Sequence, residues 1–440
     1  MNDEFQTLKF RLEVQVSARA AYQAFINPVM LQEWLCDKAL ANPVPEGSLY
    51  FGWNSGYAVT GQYIRLEPDA KVVFLWQGYG EPGPSEVKVN FSPTEDHLEI
   101  QVTHGKIGTD KAGKKQAKEI EKGWLKSLEN LKSVLETGQD LRVMRRPFLG
   151  VYGLEPVTAE TAELLGLTVQ HGLRVLGVVE GAPAHAAGLI QDDVITRLDG
   201  ERLETLQDFQ KFTQTHRSGD VIKVVFHRSG EKQSAMLELG KRPLPVLPGN
   251  PQSLLEQVEQ AYLTGNQTLA KTLAGVKESE ANYHSQPEAW NVKENLAHLI
   301  AVERDLQAWL SGMLDGAEDF EPSSHANHSA RLKGLVAANS RCRTLQSEIR
   351  RATRETVSLL QFVLPKLVER KGTFWRLSDN LTQLSGHFNE HIEQIAPMLL
   401  AARQANAQVA APAVAQAAGQ GPSPNSTSAP AASGPAAVEP

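Results

Sequence analysis

The segment His387-Phe-Asn-Glu-His391-Ile-Glu-Gln-Ile395 combines two histidines, four residues apart, with an apolar helical pattern. Residues four apart lie on the same face of an α-helix, so the two imidazoles are expected side by side. The apolar residues of the same arc are Leu381, Leu384, Phe388, Ile392, Ile395 and Leu399. Because both histidines fall within this arc, we expect them to point into a packed interior.

The histidine pair has two interpretations at this point. A buried imidazole needs partners for its ring nitrogens, and neighbouring polar groups in a core can supply them. Alternatively, two imidazoles on one helix face can share a divalent metal ion. The pair by itself is compatible with both a core role and a metal site.

The composition of the 440-residue chain, with 41% hydrophobic and 22% charged residues, is typical of soluble globular protein. Its net charge of -7 argues against a general nucleic-acid-binding protein, which would normally be basic. Cys36 and Cys342 lie far apart and indicate no disulfide framework. The N-terminal residues lack a signal-peptide pattern, and no apolar run of about 18 residues predicts a membrane span. We therefore expect a cytoplasmic protein with several domains.

Residues 1–140 predict a sheet followed by a long helix. An alternating pattern from Leu8 to Val16 indicates a half-buried strand, and a helical pattern runs from Ala18 to about Trp34. Further strands are predicted at 47–53, 56–66, 71–76, 87–91 and 97–103. The segment 118–135 is amphipathic, as expected for one long helix. This order favours a curved sheet that closes over the helix.

Four phrases in this region carry a family resemblance. They are Val16-Ser-Ala-Arg-Ala-Ala-Tyr22-Gln-Ala-Phe25, Leu31-Gln-Glu-Trp34, Gly61-Gln-Tyr-Ile-Arg-Leu-Glu-Pro68 and Gly123-Trp124-Leu125-Lys-Ser-Leu128. They resemble the START-like superfamily, in particular the homologues of the activator of the Hsp ATPase. The resemblance implies a helix-grip fold with a hydrophobic cavity for a small apolar ligand, near Trp53, Tyr57, Phe74, Trp76 and Trp124. Alternatively, these aromatic residues only fill the core.

Residues 145–243 predict a small β-rich domain. Strand patterns occur at 174–179 and 221–226, and the segment from Asp192 to Gly200 indicates a strand that runs into an Asp-Gly turn. Thr205-Leu-Gln-Asp208 is a capping box that begins a helix. The phrases Val178-Val-Glu-Gly-Ala-Pro183-Ala-His-Ala-Ala-Gly188-Leu189 and Asp192-Asp-Val194-Ile195 resemble the PDZ domain of HtrA-like proteases. Gln191-Asp192-Asp193 stands where that family usually has Gly-Asp, which is a minor change in a loop.

The PDZ resemblance implies a groove for a protein C-terminus or an extended peptide. Free N–H groups around a glycine form an anion nest, and the following strand edge can take up a peptide. The expected groove residues are Phe148, Leu149, Gly150, Val151, Leu206 and Phe209. Alternatively, the domain is only a spacer. No Gly-x-Ser-x-Gly phrase is present, so we do not expect a protease.

After a Pro-rich linker at 242–251, residues 252–403 predict an all-α domain with helices at 253–275, 292–314, 329–363 and 379–402. The run Ala289-Trp290-Asn-Val-Lys-Glu294-Asn-Leu-Ala-His298 and the segment Gly386–Ile395 resemble the DinB-like four-helix bundle family. This resemblance implies that His298, His387 and His391 bind a divalent metal, with zinc or nickel as the expected ion and an open fourth position. Glu303 and Glu390 are candidates for supporting these ligands. Residues 404–440, rich in Ala and Pro, predict a disordered tail.

The fold class expected is therefore multidomain α+β, comprising START-like, PDZ and DinB-like domains and a tail. The first functional hypothesis is a binding or adaptor protein, with a peptide groove, a cavity for a small hydrophobic ligand and a metal site. The second is a metal-dependent thiol transferase or hydrolase of the DinB-like class, with the other domains as accessory modules. Nucleic acid is not an expected partner, and no membrane span is expected.

Overall fold

The computed structural model describes residues 5–286, 289–315 and 326–418. The chain forms two compact units. The first contains Met1–Tyr262, Glu303–Pro322 and Thr353–Gly386, and the second contains Leu263–Val302, Ser323–Ala352 and His387–Pro440. The first unit holds two β-rich domains and a set of helical segments, whereas the described part of the second unit is helical. The molecule is thus a mixed α+β multidomain protein, as predicted.

The N-terminal domain is a seven-stranded antiparallel sheet with strand order β1-β7-β6-β5-β4-β3-β2. Its strands are β1 (Phe5–Val14), β2 (Lys38–Ala41), β3 (Ser48–Gly52), β4 (Ala58–Glu67), β5 (Lys71–Gly78), β6 (Ser85–Pro93) and β7 (Leu98–Gly108). Its helices are α1 (Ala18–Ile26), α2 (Pro28–Trp34) and α3 (Lys111–Thr137). The apolar face of α3, which includes Trp124 and Leu131, is buried in the same core as the sheet.

Two details differ from the prediction for this domain. The single helix expected from Ala18 to about Trp34 is two helices, because Asn27 caps a new helix that begins at Pro28. Strand β2, which is only four residues long, was not predicted. Helix α3 ends where Gly138 adopts a φ of 79°, a left-handed conformation that favours glycine.

The second domain is a six-stranded sheet with the path β14-β13-β11-β10-β9, and β12 pairs with β11. A short helix, α4 (Leu141–Met144), precedes it. The six strands of the sheet are β9 (Val151–Pro156), β10 (Leu173–Val178), β11 (Val194–Leu198), β12 (Glu201–Arg202), β13 (Val221–Arg228) and β14 (Glu231–Glu238). The domain also has a separate two-stranded sheet of β8 (Pro147–Phe148) and β15 (Gly240–Lys241). Its helices are α5 (Ala159–Leu164), α6 (Pro183–Ala186) and α7 (Leu206–Thr215). The predicted capping box of α7 is confirmed, because Thr205 and Asp208 each accept the other's backbone N–H.

The remaining helices are α8 (Pro251–Thr272), α9 (Glu278–Ala281), α10 (Val292–Asp315), α11 (Ser329–Ala338), α12 (Cys342–Leu367) and α13 (Lys371–Ala418). Segments of α8, α10, α12 and α13 contribute to a core in each unit. The core of the first unit includes Val258, Leu310, Leu360 and Leu381, and that of the second includes Leu269, Leu296, Leu345 and Ile392. Within the described residues, no helix has both the length and the apolar character needed to cross a lipid bilayer.

Three predicted helix boundaries were wrong. The helix expected at 329–363 is broken after Ala338, where Asn339 leaves the helical conformation with φ -128° and ψ 65°. Helix α13 begins at Lys371 rather than 379, and Thr373 in its first turn donates a 2.7 Å hydrogen bond to Glu33 of the N-terminal domain. The helix also runs to Ala418, beyond the predicted start of the tail at 404, which fits the high helix propensity of alanine. The rest of the predicted disordered tail, 419–440, lies outside the described residues.

Candidate functional site

His298 on α10 and the pair His387 and His391 on α13 lie together in the second unit. The Nε2 atom of His387 is 3.4 Å from that of His298 and 3.0 Å from that of His391. One nitrogen from each of the three residues lies within 4.8 Å of the others. The side-by-side arrangement predicted for the i, i+4 pair is therefore present, and α10 adds the third imidazole.

The three histidines could hold a tetrahedral metal ion. Ligand nitrogens about 2.05 Å from a tetrahedral metal are about 3.3 Å apart, close to the two Nε2 separations of 3.4 and 3.0 Å. Two neutral imidazoles can share one N–H, but three Nε2 atoms that face one another cannot all be satisfied within the cluster. The donor set, with three nitrogens and no sulfur, suits zinc or nickel.

The protonation states of the three histidines also suit metal binding. Burial and, to a smaller extent, the neighbouring His387 lower the pKa of His298 to about 4. Burial lowers the pKa of His391 to about 4 and also lowers the pKa of His387, where the charge of Glu390 acts in the opposite direction. The imidazoles are therefore neutral at pH 7, which is the form that binds a metal.

The outward-facing Nδ1 atoms of the three histidines have different surroundings. The Nδ1 of His298 is 3.5 Å from the backbone oxygen of Ala326, and the Nδ1 of His391 is 3.2 Å from the amide nitrogen of Asn295. The Nδ1 of His387 is buried and has no hydrogen-bond partner in the described structure. The Oδ1 of Asn295 is also buried without a partner, so rotating this amide by 180° would present an acceptor to His391.

Sequence reasoning missed two residues of this site. Trp290 covers the imidazoles, with ring centroids 5.0 Å from His298 and 6.3 Å from His391. Asn295 precedes His298 by three residues, and this i, i+3 spacing was the available signal for it. Of the two supporting carboxylates expected, Glu303 instead accepts a 2.7 Å hydrogen bond from Thr356, and burial raises its pKa to about 7. Glu390 is exposed.

In the second domain, β9 lies near α7. Strand β9 pairs only with β10, so its other edge is unpaired in the described sheet. Val151 begins β9, and Gly150 precedes it with a φ of 87°. A Cβ on Gly150 would lie 2.6 Å from the Cβ of Ala182, so this tight loop requires glycine.

The other predicted groove residues lie in three kinds of position. Leu149 is buried in the domain core, where its backbone oxygen accepts a 2.8 Å hydrogen bond from Ala184. Phe148 is half-buried and pairs with Gly240 of β15. On α7, Leu206 is 44% exposed, whereas Phe209 packs partly against the core. Val151, Leu206 and Phe209 therefore remain available to line a groove. Leu149 instead anchors the loop before β9 in the domain core.

A cavity of about 680 Å³ lies in the N-terminal domain, between the sheet and α3. Four of the five aromatic residues expected near a cavity line it, namely Trp53, Tyr57, Trp76 and Trp124. Phe74 does not line it, because its ring packs against Phe51 and Tyr63 at centroid distances of 6.2 Å. The polar lining includes Glu81, Lys115, Gln116 and Glu119.

Comparison with known proteins identifies the two β-rich domains. Residues 15–136 match the family "Activator of Hsp90 ATPase homolog 1-like protein", and residues 141–239 match the family "PDZ domain". The START-like and PDZ predictions are thereby confirmed at the level of the domain. Both matches end before α8 begins.

Similar individual proteins cover only parts of the chain. A probable periplasmic serine endoprotease DegP-like from Rhizobium meliloti (strain 1021) is 36% identical over 98 residues, which is 22% of this chain and 19% of that protein. The serine protease Do-like HtrA of Lactococcus lactis subsp. lactis is 26% identical over 158 residues, or 35% of this chain and 38% of that protein. The solution structure of the Aha1 dimer from Colwellia psychrerythraea covers 30% of this chain and 98% of its own, at 21% identity and a TM-score of 0.27.

Proposed function

We propose that this is a multidomain binding protein that holds a divalent metal ion on His298, His387 and His391 and takes an extended peptide into its PDZ groove. The observation that carries the metal site is the convergence of three neutral imidazoles through their Nε2 atoms. Zinc or nickel is the expected ion. A cytoplasmic location stays a prediction.

The helical region around this site is best interpreted as a DinB-like four-helix bundle. Segments of α8, α10, α12 and α13 supply the apolar core of the second unit, and the histidines come from two of these helices. The capping box that begins α10 is present, with Asn291 and Glu294 hydrogen-bonded reciprocally at 3.0 and 2.9 Å. The order of elements and the positions of the three histidines both support this family assignment.

The PDZ groove supports the adaptor part of the proposal. The unpaired edge of β9 offers backbone N–H and C=O groups to an incoming strand, and α7 forms the opposite wall. The loop at Leu149 and Gly150 precedes this edge, and a positive φ at Gly150 orients successive N–H groups as in an anion nest. We therefore expect a peptide with a free C-terminal carboxylate to be the ligand.

The peptide ligand can be tested with a library of hexapeptides, each synthesised with a free carboxylate and with an amidated C-terminus. We expect some free-carboxylate peptides to bind, and the amidated forms to bind at least tenfold more weakly. The amide is neutral and cannot accept charge-assisted hydrogen bonds from the N–H groups of the anion nest. Gly150→Val should abolish this binding. Gly219→Val is the matched control, because Gly219 also has a positive φ but has no atom close to its Cβ position. Equal binding by both peptide forms would refute the groove assignment.

A second candidate function is a metal-dependent enzyme of the thiol transferase or hydrolase kind. Three protein ligands leave a tetrahedral ion one position open, and such an ion acidifies a bound water or thiol. The observation that favours this candidate is the aromatic wall formed by Trp290 beside two of the ligands. Metal-dependent turnover of thiol or ester substrates, lost in His387→Ala, would support it over a purely binding role.

The cavity of the N-terminal domain forms the third part of the proposal. Its volume of about 680 Å³ and its tryptophan-rich walls suit a small apolar ligand. Binding of such a ligand would make this domain a sensor or carrier beside the peptide groove. Equilibrium dialysis with neutral aromatic probes tests this part directly.

A further inference from the structure

The cavity of the N-terminal domain contains a buried hydrogen-bond donor without an acceptor. Trp76 is 6% exposed, and its indole Nε1 has no hydrogen-bond partner in the described structure. The other two tryptophans that line the cavity are satisfied. Trp53 donates to the backbone oxygen of Leu35 at 2.8 Å, and Trp124 donates to the Nδ1 of His104 at 3.0 Å. Because an unpaired buried N–H is costly, the exception at Trp76 points to an acceptor supplied from outside the chain.

The polar end of the cavity is held rigidly. The Glu81 carboxylate accepts hydrogen bonds from the Tyr57 hydroxyl at 2.6 Å, from Gln116 at 3.0 Å and from the backbone N–H of Gly78 at 3.1 Å. Burial and then Glu81 raise the pKa of Tyr57, so this phenol keeps its proton and donates a hydrogen bond to the carboxylate. The hydroxyl of Tyr57 is therefore committed as a donor and does not compete with Trp76 for a ligand acceptor.

Trp76 and Tyr57 adjoin each other at this end. Side-chain hydrogen bonding from Trp76 acts to lower the pKa of Tyr57, so the indole N–H lies near the phenol oxygen, but the Nε1 makes no well-aligned hydrogen bond there. The indole N–H therefore faces the side of the cavity where the polar groups are gathered. An acceptor atom of a bound molecule can reach the N–H there while the rest of the molecule contacts the tryptophan rings.

The charge at this end selects against anions. Glu81 is half-buried and already accepts three hydrogen bonds, so a ligand carboxylate beside it would meet a negative charge. Lys115, which also lines the cavity, is exposed, and the exposed Glu119 one helical turn away carries the opposite charge. The favoured acceptor is therefore a neutral oxygen, such as that of a ketone, ester or amide.

Extending the cavity function proposed above, we infer that the cavity binds a neutral, ring-containing molecule whose carbonyl oxygen accepts a hydrogen bond from the Nε1 of Trp76. The ring system would lie among Trp53, Trp76 and Trp124, whose neighbouring centroids are 6.1 to 6.3 Å apart. The carbonyl would replace the missing partner of the indole.

Three probes of almost equal size test this inference in equilibrium dialysis with the full chain. They are fluorenone with a neutral carbonyl, fluorene without an acceptor, and fluorene-9-carboxylate with an anion. We expect fluorenone to bind about tenfold more tightly than fluorene, which corresponds to one satisfied hydrogen bond, and the carboxylate to bind most weakly. Trp76→Phe keeps the aromatic wall but removes the N–H, so it should make fluorenone and fluorene bind equally.

Trp53→Phe is the matched control, because the N–H of Trp53 is already bonded to Leu35. It should leave the fluorenone preference unchanged, whatever its effect on affinity, and near-UV circular dichroism of both variants checks that they fold. Equal binding of fluorenone and fluorene by the unaltered protein, or a preference for the carboxylate, overturns the inference but leaves the cavity function standing. Failure of all three probes to bind overturns both.

Discussion

Two buried histidine sites in this chain differ in how their ring nitrogens are satisfied. His104, in the N-terminal domain, is fully buried; its Nδ1 accepts from Trp124 at 3.0 Å, and its Nε2 lies 2.7 Å from Ser85 Oγ. Because indole nitrogen only donates, the proton of His104 sits on Nε2 and points at Ser85, whose hydroxyl donates to the backbone oxygen of Trp76. In the second unit, the Nε2 atoms of three histidines instead face one another.

The two sites differ in the arrangement of their ring nitrogens, although burial affects the pKa values of their histidines in the same way. Burial lowers the pKa of His104, His298 and His391 alike to about 4. The Ser85–His104 pair is also no nucleophile and base, because the Nδ1 of His104 is occupied and its Nε2 already carries the proton. The cluster of His298, His387 and His391 differs from the His104 site because its Nε2 atoms face one another rather than a separate donor or acceptor.

The largest expected effect is stabilisation of the helical region by metal. Zinc or nickel at about 1,000 times its dissociation constant should stabilise the folded state by about 4 kcal/mol, because a preformed three-histidine site does not exist in the unfolded chain. Amide hydrogen exchange in α10 and α13 should slow accordingly. His387→Ala should remove the effect, and an equal metal response in that variant would count against the site.

Replacing His104 should lower the free energy of unfolding of the N-terminal domain by slightly less than the metal stabilises the helical region. His104→Ala leaves the indole of Trp124 without its acceptor and opens a void in the core, so we expect a loss of about 3 kcal/mol in the free energy of unfolding. Urea denaturation of the N-terminal domain measures this loss. The metal content of His104→Ala should equal that of the unaltered protein. A lower metal content would contradict the assignment of separate roles to His104 and the three-histidine cluster.

The pH dependence of stability should follow from His104. Its pKa is about 4 when folded and close to 6.5 when unfolded, so its contribution is fully present above pH 6.5 and is lost as the pH falls towards 4. Between pH 7 and pH 5 this amounts to about 2 kcal/mol for one such group. The difference between the unaltered protein and His104→Gln, in urea denaturation at the two pH values, isolates it. A pH-independent difference would contradict the assignment.

The smallest expected effect is at Asn295. With the metal on Nε2, the Nδ1–H of His391 needs an acceptor, which the Asn295 carbonyl supplies after amide rotation. Asn295→Ala should weaken metal binding about tenfold, or about 1.4 kcal/mol. Asn295→Asp should retain the affinity, because its carboxylate accepts the same proton. Equal losses in both variants would indicate a packing role only.

The sequence predicted the sheets better than the helix boundaries, for physical reasons. The alternation of apolar and polar residues indicates a strand such as β1, and the capping box at Thr205 marks the start of α7 by local chemistry alone. The first turn of α13 contains Gly372, a poor helix former, and contacts Glu33 from far along the chain. No local sequence pattern could predict that contact.

The metal-ligand candidates could be predicted because the i, i+4 spacing fixes two side chains on one face, and the family resemblance supplied His298. The roles of the surrounding residues could not be predicted in the same way. Trp290 precedes α10 and covers the imidazoles only through the fold, and Phe74 lies on the cavity face of β5 but is covered by Phe51 and Tyr63. Residues on the correct face are predictable from periodicity, whereas their neighbours depend on tertiary packing.

The most direct test is elemental analysis of the purified, untagged protein beside His387→Ala, His391→Ala and His104→Ala. The proposal predicts close to one equivalent of zinc, nickel or another divalent metal in the unaltered protein and in His104→Ala, and none in the other two variants. Absence of metal from the unaltered protein, even after reconstitution, would contradict the metal site and return the three histidines to a purely structural role.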